Sequence, residues 1–93
     1  MEEILLLRKK IDAIDEQILQ SLRKRLDASK EIGTMKKKLR IPISDPKRED
    51  EVFRHVMQKA SELGLDTSRI KWIYREIIAI CTNAQESIQS SQG

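Results

Sequence analysis

The chain has 93 residues, 35 % of them charged and 39 % hydrophobic, with a formal charge of +3. One small domain, residues 1–93, accommodates that length, and three aromatics, three Gly and two Pro argue for helices over a sheet. The mild basic excess suits a small anion as readily as nucleic acid, a lone Cys81 excludes an intrachain disulfide, and no apolar run reaches membrane-spanning length, so a soluble cytoplasmic protein is expected.

A first helix is predicted from about residue 3 to 39. The segment has no Pro, and only Gly33 weakens it. On a seven-residue grid its first core row is Ile4, Ile11, Ile18, Arg25, Ile32 and Leu39, and its second is Leu7, Ile14, Ser21, Ala28 and Met35. Arg25 is the single charge in these rows. The adjoining row carries Arg8, Asp15, Leu22, Ser29 and Lys36. Arg8, Arg25 and Lys36 therefore project from one side of an apolar seam. Such a helix is about 55 Å long, whereas a compact chain of this size has a radius of gyration of about 12 Å. The seam needs a partner, and a dimer is the simplest closed symmetry.

Pro42 ends the first helical pattern, and Asp45-Pro46 reads as an N-cap followed by Pro at the first helical position. A second helix is predicted over about 46–63, with Val52, Phe53, Val56, Met57, Ala60 and Leu63 as its apolar face and Gly64 as its stop. Asp66 caps a third helix over about 67–88, with Leu65 and Ile70 placed as a hydrophobic staple. Its two apolar stripes, Ile70-Ile73-Ile77-Ile80-Ala84 and Tyr74-Ile78-Cys81-Gln85-Ile88, predict a helix buried on most sides. Residues 89–93 read as a frayed tail.

Each helix sends polar groups inward: Arg25 and Lys36 from the first, Glu49 from the second, Gln85 from the third. Buried polar groups need partners, and a cation in a seam needs an anion. Three cations against one evident inward carboxylate, Glu49, leave positive charge that a ligand with two carboxylates would meet. Taken singly, each residue also has a structural explanation. Arg25 can pair with Asp12, Asp15 or Asp27 of a partner chain; Arg8 and Lys36 can reach water; Asp45 can serve only as a cap; Gln85 can bond across a dimer; Cys81 can be core filling. Their coincidence on inward faces favours a ligand. No His/Cys/Asp spacing suits a metal, no Gly-rich phosphate loop is present, and neither Ser29 nor Cys81 has a histidine to activate it. An enzyme built this way works without a cofactor and without a covalent intermediate.

The stretch Leu7-Arg8-Lys9-Lys10-Ile11-Asp12-Ala13-Ile14-Asp15, then Arg25, Lys36, Ile41-Pro42-Ile43-Ser44-Asp45-Pro46-Lys47-Arg48-Glu49 and Gln85, resembles the all-α chorismate mutases over about residues 4–88. The resemblance implies an intertwined homodimer of three-helix chains with two shared active sites. It also implies the Claisen rearrangement of chorismate to prephenate, on the route to phenylalanine and tyrosine. By the same resemblance Arg25 and Arg8, the latter from the other subunit, bind the two carboxylates. Lys36 and Gln85 donate to the ether oxygen of the breaking bond. Glu49 with Asp45 holds the substrate hydroxyl, and Arg48 supports that end. Cys81 departs from the family's serine, and a thiol is a weaker donor, so slightly weaker substrate binding is expected. Two other functions fit the sequence: a pyruvate lyase acting on isochorismate with the same pocket, and a non-catalytic helical dimer binding nucleic acid through Lys36 to Arg40. The second lacks aromatic platforms for bases.

Overall fold

A computed structural model describes residues 1–91 as three helices: α1 (Glu2–Leu39), α2 (Pro46–Glu62) and α3 (Thr67–Ser90). No strand occurs among the described residues, and the fold is all-α. The third helix runs two residues past its expected end, so Gln89 and Ser90 are helical. Lys37 Nζ on α1 donates to the Ile88 and Ser91 carbonyls, giving those terminal acceptors a partner that the α3 sequence alone does not reveal. The last two residues of the anticipated tail lie outside the described residues.

The connections follow from local chemistry. Asp45 caps α2 through its side chain, which accepts from Arg48 N at 3.2 Å, and Asp66 caps α3 by accepting from Arg69 N at 3.1 Å. The α2 stop is a Schellman motif: Leu65 N donates to Ala60 O, Gly64 N donates to Ser61 O, and Gly64 sits at φ +72°. The α1 stop uses the same pattern, Ile41 N to Lys36 O and Arg40 N to Lys37 O. There the left-handed position is held by Arg40 at φ 56°, a non-glycine.

The helix α3 packs against both α1 and α2, while α1 and α2 do not touch each other. The molecule measures 57 × 28 × 14 Å, with a radius of gyration of 16.8 Å. A thickness of 14 Å is little more than one helix diameter, about 10–12 Å. The chain is thus a single layer with no second layer to close its core. Among the described residues only Ala60 and Cys81 are buried hydrophobics. Along α1 the seam lies open: Ile11 is 55 % exposed, Ile18 59 % and Leu39 61 %. The expectation that α3 is buried on most sides does not hold within one chain. Cys81 is buried and Tyr74 and Ile78 are half-buried, but Ile73 and Ile80 of the other stripe are exposed, because two neighbouring helices in one plane cannot enclose a third.

Candidate functional site

On α1, Arg25, Ser29, Ile32 and Lys36 recur at helical spacing and form one stripe towards α3. On α3, Ile78, Cys81, Thr82, Gln85 and Glu86 do the same. The first turns of α2 add Asp45, Arg48, Glu49 and Val52, and the connection before it adds Ile43 and Ser44. Together they line an open cleft of about 410 Å³. That is the size of a small-molecule site. It exists because α1 and α2 stand apart on a shared α3 floor.

Seven of the residues singled out from sequence meet here: Arg25, Lys36, Asp45, Arg48, Glu49, Cys81 and Gln85. Arg8 does not. It is exposed near the far end of α1, 17 residues before Arg25, or about 25 Å along the axis. A rigid helix cannot fold that end back over its own cleft. Any contribution of Arg8 therefore has to come from another chain.

The half-buried Arg25 donates from Nη1 to Cys81 Sγ at 2.9 Å. Sulfur is a weak acceptor, so the guanidinium is oriented while most of its five donors stay unused. Among the described residues no carboxylate pairs with Arg25 or Lys36. Asp27, one of the possible partners considered for Arg25, instead makes an exposed ion pair with Arg23 at 2.8 Å. Lys36 is half-buried and donates from Nζ to the Ile43 carbonyl at 3.1 Å, which ties it to the inter-helix connection. The buried Cys81 thiol is turned to Arg25 rather than left free in the cleft. Gln85 Nε2 donates to Ser29 Oγ at 2.7 Å, and Ser29 Oγ donates to the Cys81 carbonyl at 3.2 Å. Gly33 explains how α3 comes so near: a Cβ at this position would stand 3.1 Å from Gln85 Cα.

The charge balance differs from the sequence expectation. Asp45 and Glu86 join Glu49 on the lining, so three carboxylates oppose Arg25, Lys36 and Arg48. One chain's cleft is formally neutral. The excess positive charge expected from sequence requires a further cation, such as Arg8 of a second chain. The basic run at the α1 end is also dispersed. Lys36 and Lys37 bond to carbonyls, leaving only Lys38 and Arg40 exposed, which makes a poor nucleic-acid face.

The lining also holds residues that were not singled out as site residues, among them Ser29, Ile43, Thr82 and Glu86. Ser29 stood in the same flanking row as Lys36, one heptad earlier, and that row was the available signal. Thr82 and Glu86 follow Cys81 and Gln85 directly, and their share in the cleft depends on how far α3 turns towards α2. The Ile43 carbonyl left no trace in the side-chain pattern. Among the described residues no helix is long and apolar enough to cross a membrane, and no group of His, Cys, Asp and Glu is placed to hold a metal ion.

A three-helix layer with cations, carboxylates and an amide converging on one small cleft defines an all-α protein with a polar small-molecule cleft. Comparison with known proteins agrees. The family model described as chorismate mutase type II matches residues 7–86. A bifunctional chorismate mutase/prephenate dehydratase of Aquifex aeolicus is 39 % identical over 92 residues, which are 96 % of this chain but 25 % of that protein. A chorismate mutase of Methanocaldococcus jannaschii is 35 % identical over 66 residues, 71 % of this chain and 67 % of the relative. Among solved structures, a conserved hypothetical protein from Pyrococcus furiosus superposes with a TM-score of 0.71 at 38 % identity, covering 91 % of this chain and 97 % of that one. The chain belongs to the chorismate mutase type II family. It spans about a quarter of the length of the Aquifex relative.

Proposed function

We propose that this domain is an isomerase converting chorismate to prephenate, on the route to phenylalanine and tyrosine, with no cofactor and no covalent intermediate. The observation that carries the reading is the convergence of Arg25, Lys36, Glu49 and Gln85 on one cleft in a chain of this family. A guanidinium matches a carboxylate in a planar, bidentate fork, and Arg25 has donors to spare. Lys36 and Gln85 present N–H groups where the ether oxygen gains negative charge as the C–O bond breaks. Preset donors stabilise that charge more than they stabilise the ground state. Glu49 and Asp45 receive the substrate hydroxyl, and Arg48 closes that end. Gripping both carboxylates folds the substrate into the compact conformer in which the reacting carbons meet.

The second carboxylate is assigned to Arg8 of a partner chain, in a homodimer with two shared sites. Three observations support this. Arg8 lies too far along α1 to serve its own cleft, the cleft of one chain has no net positive charge, and the α1 seam is bare. Eight large seam residues on α1 are about half exposed. Covering the remainder is worth about 1 kcal/mol each, so two chains gain roughly 16 kcal/mol. That meets an association cost of roughly 4–15 kcal/mol. The compartment we propose is the cytoplasm, which suits the free Cys81.

The test is the loss of chorismate absorbance with purified protein, products identified, beside Arg25→Ala. Prephenate from the wild type and a drop of about a hundredfold or more in kcat/KM for Arg25→Ala is the expected result. Chorismate left untouched by a folded protein would overturn the assignment.

A further inference from the structure

A serine or threonine inside a helix ordinarily returns its hydroxyl proton to the carbonyl four residues back. Thr34 does this, donating to Lys30 O at 3.1 Å. Ser29, five residues earlier on the same helix, does not. Its hydroxyl is buried, crosses to α3 and donates to the Cys81 carbonyl. A hydroxyl has one proton, and here it is used. The oxygen is therefore left as an acceptor where it meets Gln85. Only the NH2 end of the Gln85 amide satisfies that acceptor, and Nε2 is the atom found there, at 2.7 Å. With the hydroxyl proton on the Cys81 carbonyl, the amide has one orientation that satisfies the pair, and its second N–H is unspent. Gly33, on the next turn of α1, brings the Gln85 backbone close enough for the bond to form.

We propose that Ser29 is a positioning residue which sets the polarity of the Gln85 amide, so that an N–H, and not the carbonyl oxygen, faces the reacting ether oxygen. The consequence for the rate rests on the mutase reading above; the orientation itself does not. Without the Ser29 oxygen the amide is free to turn by half a revolution. It then presents an acceptor to an oxygen that is gaining negative charge, a repulsion felt in the transition state and little in the ground state.

Two readouts separate these claims. In substrate-free protein, the Gln85 side-chain amide signals are identified by ¹H–¹⁵N NMR from their disappearance in Gln85→Ala. One of the two protons is expected to be shifted and slow to exchange, and Ser29→Ala is expected to abolish that asymmetry. In steady-state kinetics, Ser29→Ala is expected to lower kcat about three- to tenfold with KM changed less than about twofold. Ser29→Thr, which keeps the hydroxyl, is expected to recover most of the loss. In a Gln85→Ala background the serine change is expected to cost nothing further, since it acts through the amide. Amide signals that are unchanged in Ser29→Ala overturn the orientation claim. An equal loss of kcat with and without Gln85 overturns the positioning role. If the wild type does not convert chorismate while the signals respond as expected, the orientation stands and the reaction assignment falls.

Discussion

Gly33 was marked from the sequence only as a weak point in a long helix, and the structure gives it a purpose. An added Cβ would meet Gln85 at its Cα and Cβ as well as its Cγ, at 3.1–3.2 Å, and backbone cannot rotate aside as a side-chain tip can. For Gly33→Ala two effects oppose each other. Alanine favours the helix by about 1 kcal/mol, while α3 must withdraw by a few tenths of an ångström. The expected outcome is a melting free energy within about 1 kcal/mol of wild type but a several-fold lower kcat, because the movement falls on Gln85. Thermal unfolding and chorismate kinetics on the same preparation check it; equal activity would show that the α1–α3 approach does not position the amide. Cys81 illustrates the reverse case. The family resemblance pointed to a substrate contact, and in the free site its sulfur orients Arg25.

At the scale of the elements, caps and stops decide where the cleft opens. The Asp45 cap sets the start of α2 and so brings Arg48 and Glu49 to the cleft in its first turn. The end of α1 places Ile43 where its carbonyl receives Lys36. That end carries a strained residue, Arg40 in the left-handed region, at a cost of about 1–2 kcal/mol that glycine would not incur. Glycine's greater freedom in the unfolded chain returns part of that cost, roughly 0.5–1 kcal/mol. Arg40→Gly is therefore expected to raise stability by about 0.5–1 kcal/mol, seen as a higher denaturant midpoint with an unchanged m-value. Arg40→Val, with a branched Cβ at the same φ, is expected to move the midpoint the other way. A lower midpoint for the glycine variant would mean that Arg40 contributes more through its charge at the helix end than it loses in strain.

At the scale of the molecule, a single layer 14 Å thick with two buried hydrophobics among the described residues has too little interior to stand alone. Equilibrium sedimentation is expected to give a dimer whose unfolding midpoint rises with protein concentration. Shared sites have a sharper signature. Arg8→Ala and Arg25→Ala chains, each inactive, are expected to regain activity when unfolded and refolded together. A mixed dimer then holds one doubly altered site and one intact site, so random mixing restores about a quarter of the wild-type sites. No recovery in a preparation that contains mixed dimers would reject the sharing of Arg8.

The sequence by itself determined the three helices, the Asp45 and Asp66 caps, the Gly64 stop, and the stripe on which Arg25 and Lys36 lie, because periodicity and capping act within a few residues of the chain. It also marked Arg25, Lys36, Glu49 and Gln85, since a polar group on an apolar face is visible wherever it occurs, whereas Asp45, Arg48 and Cys81 were marked only by the family resemblance. The sequence was silent on pairings between helices. Nothing in the order of residues says that Ser29 gives its proton to Cys81 and receives one from Gln85, that Gly33 admits the α3 backbone, or that Glu86 joins Asp45 and Glu49 to balance the cleft. Those contacts join positions some 40 to 60 residues apart, or depend on a helix's rotation about its axis. Only the packing of α3 against α1 and α2 decides them.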